Sequence, residues 1–178
     1  MTLTRFLLSL LFLASLLTSA QEEKTGHTTP RGKVWIFVAV DCPIANGYAP
    51  ELNRLQQDFE SRGIDFTLVY PEPSLHESSI ISHLKEYSLD FDYHHDRTHR
   101  LVTKSGVIVT PEAAVFDSND QLIYRGKIDD RYSEFGDRRS IATKTYLRDV
   151  LAQLLAGEEI GFHETEPIGC YIESLAEN

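Results

Sequence analysis

The stretch from Lys33 to Pro43 constrains this chain more than any other. Val34-Trp35-Ile36-Phe37-Val38-Ala39-Val40 is a continuous apolar run, rich in β-branched and aromatic side chains, which is the pattern of a strand buried on both faces of a parallel sheet. It ends in Asp41-Cys42-Pro43, after which Leu52, Leu55 and Phe59 recur at helical spacing with polar residues between them. Proline at position 43 disfavours the α conformation at Cys42 and suits a first helical position, so Cys42 is expected to cap the helix with free N–H groups nearby. Partial positive charge at a helix start favours thiolate, the attacking form of cysteine. Asp41 opposes that effect, and Gly47 with Pro50 is expected to separate the first turn from the rest of the helix. The competing reading is a buried, inert thiol.

The rest of the chain is read in order from that strand. The helix ends near Gly63, and Ile64 to Tyr70 forms a second strand closed by Pro71 and Pro73, giving a right-handed crossover with parallel strands. Ser74 and Glu77 have the spacing of a capping box, which predicts a helix to about Tyr87 with Ile80, Ile81, Leu84 and Tyr87 on its apolar face. A short extended piece is expected at Asp90 to Tyr93, and Asp96 is expected to cap a short helix from Arg97 to Lys104 that stops at Gly106. Val107 to Asp117 and Gln121 to Lys127 flank the turn Ser118-Asn119-Asp120 and predict a β-hairpin. A last helix is expected from Ser140 to Leu155, with Ile141, Tyr146, Leu147, Val150, Leu151, Leu154 and Leu155 apolar. The irregular tail, residues 158–178, carries Cys170.

Arg5 precedes an apolar run from Phe6 to Leu17, and Thr18-Ser19-Ala20 offers small residues for cleavage. Residues 1–20 therefore read as a signal peptide, with residues 21–32 a polar entry segment and residues 33–157 one domain. The apolar run is short against the roughly 20 residues of a membrane span, so a periplasmic or secreted protein with no membrane attachment after cleavage is expected. The formal charge is −10, which argues against nucleic acid or anionic lipid as partner. Cys42 and Cys170 are the two cysteines of the chain, too few to staple a mini-domain but enough for one disulfide, structural or redox-active.

Strand, helix, strand, helices, hairpin and helix in that order read as an α/β, thioredoxin-like fold, a central mixed sheet with helices on both faces. Cys42 followed eight residues later by Pro50, with Ala49 before it, resembles the thioredoxin active-site helix. Thr110-Pro111 ahead of the hairpin resembles the thioredoxin cis-proline loop. More narrowly, Asp41 to Asn46, Thr110-Pro111-Glu112 and Tyr124 to Tyr132 resemble exported bacterial redoxin-domain proteins, related to the peroxiredoxin and thiol-specific antioxidant superfamily. The chain departs from these patterns twice. Ala45 stands where thioredoxins carry a second cysteine, and Ala39 stands where peroxiredoxins place a threonine.

The resemblance implies a thiol-disulfide oxidoreductase in which Cys42 is the active-site cysteine. A partner would be a disulfide- or thiol-bearing protein or a small thiol, with an external thiol as reductant. Function gathers at the carboxyl ends of parallel strands, and the ends of the hairpin strands come to that same edge. Cys42 is therefore a candidate catalytic residue, with Cys170 beside it as the other cysteine of an exported chain, and Pro43, Thr110, Pro111 and Arg131 are the candidate substrate-binding ones. A cis Thr110-Pro111 bond would expose the Thr110 backbone to pair with an extended substrate. Asp129, Asp130 and Arg131 read most simply as a solvated loop; alternatively, a carboxylate there relays protons, or Arg125 or Arg131 stabilises a thiolate. Cys170 remains open to three readings: a disulfide with Cys42, a bond to another subunit, or a free thiol. From Leu155 the chain to Cys170 reaches about 50 Å, which excludes none of them. His94, His95 and His99 are dense enough to raise a metal site, but no metal or other cofactor is expected. The alternative functions are a thiol peroxidase, or a non-catalytic module that binds a partner or copper and carries a structural bridge.

Overall fold

The computed structural model describes residues 30–134 and 137–175; the expected signal peptide and residues 21–29 of the entry segment lie outside the described residues. Strand β1 (Gly32–Phe37) forms where the apolar run predicts and lies centrally in a six-stranded sheet. It pairs in parallel with β2 (Ile64–Tyr70), and β2 pairs in parallel with β3 (Asp92–His95). On its other side β1 runs antiparallel to β5 (Glu112–Asp117), which forms the expected hairpin with β6 (Leu122–Gly126).

Alternation along β1 sends its side chains to two cores. Val34 and Ile36 join a core with the buried faces of α1 (Pro43–Phe59), α2 (Glu77–Glu86) and α4 (Tyr146–Ala156). Trp35 and Phe37 face the opposite side with Val69, Ala114 and Phe116, covered by Leu101 and Val102 of α3 (Arg100–Ser105). The sheet is thus mixed and flanked by helices on both faces, the thioredoxin-like arrangement.

Several local expectations change. Helix α1 runs unbroken through Gly47 and Pro50. An internal proline costs about 3 kcal/mol, whereas Ile44, Tyr48, Leu52, Leu55 and Phe59 are all buried along one face, each worth about 1.5–3 kcal/mol, so packing prevails. The Ser74 capping box does not form: the Ser74 hydroxyl donates to Glu72 at 2.5 Å, and α2 begins only at Glu77. On that helix Ile81 is exposed while His83 is buried. The last helix starts at Tyr146, six residues late, because the Asp130 carboxylate accepts the backbone N–H groups of Thr143 (2.6 Å) and Lys144 (2.9 Å) and holds them outside it. Ile141, expected on its apolar face, is consequently exposed.

The tail is the largest addition. It returns along the domain, laying β9 (His163–Glu164) parallel to β6, and then β10 (Cys170–Tyr171) antiparallel to β4 (Val109–Thr110). No helix among the described residues is long and apolar enough to cross a membrane.

Asp96 does cap α3, which begins three residues later than expected. Its carboxylate, almost fully buried, accepts N–H bonds from Arg100, Leu101 and Val102 at 2.9, 2.8 and 3.0 Å. Asp96→Ala should therefore cost about 1–2 kcal/mol, read as a lower denaturation midpoint in urea with an unchanged slope. Asp96→Asn, which keeps an acceptor, should recover part of the loss.

Candidate active site

Cys42 emerges two residues after Val40, at the carboxyl end of the β1 segment. It occupies the N-cap of α1 in an extended conformation (φ −81°, ψ 109°) with Pro43 at the first helical position, as its neighbours dictate. The Asn46 N–H reaches the Cys42 carbonyl at 3.0 Å, closing the first turn. Only 1% of Cys42 is exposed.

Register delivers the second piece. Phe37 of β1 pairs with Glu112 of β5, so the residues preceding Glu112 lie beside the Cys42 loop. The Thr110–Pro111 peptide bond is cis, and the Cys42 thiol donates to the Thr110 carbonyl at 3.1 Å. Glu112 shapes this loop from below. Its buried carboxylate accepts the N–H groups of Ile108 (2.9 Å) and Val109 (3.3 Å). Burial raises its pKa, and those two bonds with Arg125 nearby oppose the rise. In the sequence Glu112 stands in the Thr110-Pro111-Glu112 motif with no role of its own assigned to it.

The tail delivers the third piece. Cys170 pairs with Thr110 in the β10–β4 ladder, and its Sγ donates to Cys42 Sγ at 2.9 Å. The two cysteines thus meet as an unbonded dithiol, although 128 positions separate them. Burial, the hydrogen bond to Cys42, and the nearby charges push the Cys170 thiol up to about 12, so at neutral pH it keeps its proton and presents it to the Cys42 sulfur.

The segment that carries Cys170 is anchored a few residues upstream. Thr165 receives the Lys127 N–H on its hydroxyl at 2.9 Å, shares a 2.7 Å bond with the Tyr124 hydroxyl, and donates its own N–H to the Arg125 carbonyl at 3.1 Å. From there four residues, Glu166 to Gly169, lead to Cys170. Gly169 passes so close to Thr110 that a Cβ at this position would lie 2.2 Å from the Thr110 oxygen.

Behind the cysteine loop runs a hydrogen-bonded chain that the sequence did not announce. The Tyr70 hydroxyl meets His83 Nδ1 at 2.9 Å, His83 Nε2 meets the Asn46 side-chain oxygen at 2.9 Å, and the Asn46 amide donates to the Val40 carbonyl at 3.1 Å. Since an amide oxygen only accepts, His83 carries its proton on Nε2 and receives the Tyr70 hydroxyl on Nδ1. Burial lowers the His83 pKa, which keeps that neutral tautomer in place.

The Asp129–Arg131 loop is buried rather than solvated. Asp129 accepts the Tyr48 hydroxyl at 2.7 Å and the Arg131 N–H at 2.8 Å, and the Arg131 guanidinium lies 3.1 Å from Asp129 and 3.5 Å from Glu51, over the Tyr48 ring. Arg125 is engaged by the Gly106 carbonyl and by Glu164. Both arginines are thus paired with oxygens, while the contacts of the Cys42 sulfur are Thr110 and Cys170. Histidines 95 and 99 bond the Glu72 and Pro71 carbonyls, each at 2.8 Å. Among the described residues no three His, Cys, Asp or Glu side chains gather to hold a metal ion.

Beside the dithiol lies a cavity of about 480 Å³, lined in part by Cys170, Thr110, Asp41, Tyr70 and the Pro71–Leu75 loop. Such a volume suits a small molecule or a few residues of a chain.

Comparison with known proteins places this architecture. The Redoxin family model matches residues 14–142. Among solved structures, a hypothetical protein of Sinorhizobium meliloti 1021 superposes with a TM-score of 0.72 at 20% identity, covering 84% of this chain and 82% of its own. An uncharacterized conserved protein of Geobacillus kaustophilus gives 0.71 at 24% identity, with 83% and 79% covered. A candidate thiol:disulfide interchange protein DsbE of Chlorobium tepidum gives 0.52 at 15% identity, with 72% and 80% covered. At these identities the likeness is one of fold. Among curated protein sequences, none matches this chain.

The close approach at Gly169 yields a test of how the site is assembled. Gly169→Ala should push β10 off β4 and separate the two sulfurs. The expected outcome is faster alkylation of Cys42 by iodoacetamide, together with slower closure of a Cys42–Cys170 disulfide under mild oxidation, both followed by mass spectrometry.

Proposed function

The chain belongs to the Redoxin family, and from that premise we propose that it is an exported thiol-disulfide oxidoreductase working through a Cys42/Cys170 dithiol. The observation that carries the reading is the approach of Cys170 Sγ to Cys42 Sγ, 2.9 Å, produced by pairing of the tail with the cis-proline loop. A thiol held there takes the part of the second cysteine that Ala45 does not provide. The internal strand also occupies the Thr110 edge that was expected to receive an extended substrate.

In the forward direction Cys42 gives up its thiol proton to solvent and, as thiolate, attacks one sulfur of a substrate disulfide. A mixed disulfide forms and the first substrate thiolate leaves, taking the proton that Cys170 held. The Cys170 thiolate then attacks the Cys42 sulfur and expels the second substrate thiolate, which takes up a proton from solvent. The substrate is reduced by two electrons and the protein is left as the Cys42–Cys170 disulfide. A dithiol reductant from outside regenerates it. Because Cys42 is covered in the resting dithiol, Cys170 must turn aside before substrate sulfur reaches it.

Pro43 and Pro111 serve this chemistry as fixed backbone on either side of the sulfur, and Thr110 serves through its carbonyl. Arg131 acts at one remove, tying the loop after β6 to Glu51 of α1. Export rests on the apolar leader and cleavage signal in residues 1–20.

The roles are separated by trapping. Cys170→Ala should accumulate a mixed disulfide at Cys42 on exposure to 2-hydroxyethyl disulfide, whereas wild type should pass through it to the internal disulfide and release two thiols per chain. Cys42→Ala should do neither. If wild type releases no thiol, or Cys170→Ala still completes the exchange, the dithiol mechanism is wrong.

A further inference from the structure

The cavity beside the dithiol carries a charge asymmetry that the mechanism above does not use. Three carboxylates line it, Asp41 from the cysteine loop, Glu72 from the segment after β2, and Glu173 from the tail, and among the described residues no lysine, arginine or histidine does. All three are exposed, so their charges face the solvent from which a substrate arrives. They come from three separate stretches of chain, brought together by the folds that assemble the sulfurs. Between them the wall is apolar, formed by Pro71, Tyr70 and Tyr171, the last 82% exposed. Histidines 95 and 99 brace the same loop through its carbonyls, with their rings bonded to backbone rather than paired with these carboxylates.

A second constraint limits the size of what enters. A polypeptide would ordinarily dock on this fold by adding a strand to an open edge. Here the Val109–Thr110 edge is already paired with Cys170–Tyr171, and the Ile172 N–H continues the pairing to the Ile108 carbonyl at 2.9 Å. What remains open is the cavity of about 480 Å³. Resting on the oxidoreductase reading, we infer that the preferred substrate is a low-molecular-mass disulfide bearing positive charge, such as one with ammonium groups beside its sulfurs. Anionic disulfides meet three carboxylates at the entrance and are disfavoured. Cationic disulfides are drawn in and held while Cys42 attacks. The chemistry is the exchange already written, in which the disulfide is reduced to two thiols and the protein dithiol becomes the internal disulfide.

The test is a single-turnover series with the pre-reduced full chain. Cystamine (cationic), 2-hydroxyethyl disulfide (neutral) and oxidised glutathione (anionic) are compared, each rate divided by that of the same disulfide with free dithiothreitol to remove intrinsic reactivity. At low ionic strength the normalised rates should fall in that order, with about tenfold or more between the extremes, and should converge in high salt as the charges are screened. Combined replacement of Asp41→Asn, Glu72→Gln and Glu173→Gln should compress the spread without salt. A bridged peptide with lysines flanking its half-cystines distinguishes a small substrate from a polypeptide one, and should react more slowly than cystamine. Equal normalised rates, a preference for glutathione disulfide, a spread indifferent to salt, or a faster peptide would each overturn the inference while leaving the oxidoreductase reading intact. Failure to reduce any of the four would overturn both.

Discussion

The Thr110 peptide unit is the point on which the site depends, because two sulfurs reach each other through it. Its carbonyl receives the Cys42 thiol, and its strand receives the segment that carries Cys170. Neither contact could form without the antiparallel register of β1 and β5, which sets the start of β5 beside the end of β1. The loop in turn keeps its shape through Glu112, whose carboxylate collects two N–H groups that the short β4 strand leaves without sheet partners. A buried acceptor of this kind costs about 1–3 kcal/mol to remove, which is large against the stability of a domain of this size. Local backbone, long-range register and one buried charge therefore converge on a single carbonyl.

Much of this was legible where the signal was local and strong. A continuous apolar strand and the proline after Cys42 each fix the chain over a few residues, and the structure has Cys42 at a helix start; the cis Thr110–Pro111 bond follows the resemblance to the thioredoxin loop, since an X-Pro bond by itself is cis in only about 5–6% of cases. The failures have a common cause. Strands β9 and β10 are two residues long each, too short for any periodicity, and they exist because the sheet edge and β4 offer unpaired backbone. The start of α4 was misplaced because Asp130 captures Thr143 and Lys144 across a sequence gap. Ser74 has a capping hydroxyl, but Glu72 is nearer. In each case a distant or competing partner outweighed the local preference.

His83 shows the same limit from another side. Its neighbours Ile80 and Leu84 mark an amphipathic helix, and in such a pattern a histidine reads as part of the wet face. In the folded protein it is buried between Tyr70 and Asn46 and supports the Val40 carbonyl, two residues before Cys42. A polar chain of this kind is satisfied at every link, which favours one arrangement of the loop over its alternatives.

The anchoring of the tail at Thr165 has a kinetic meaning. Four residues separate that fixed point from Cys170, so the second thiol is confined to a small volume around Cys42 even when its side chain has turned aside. Short tethers of this kind give effective concentrations in the millimolar range or above, and orientation on β4 raises the value further. A mixed disulfide on Cys42 would be intercepted by its own chain before dilute thiols in the surroundings could reach it. On the oxidoreductase reading, the length of that tether sets how briefly a mixed disulfide on Cys42 persists.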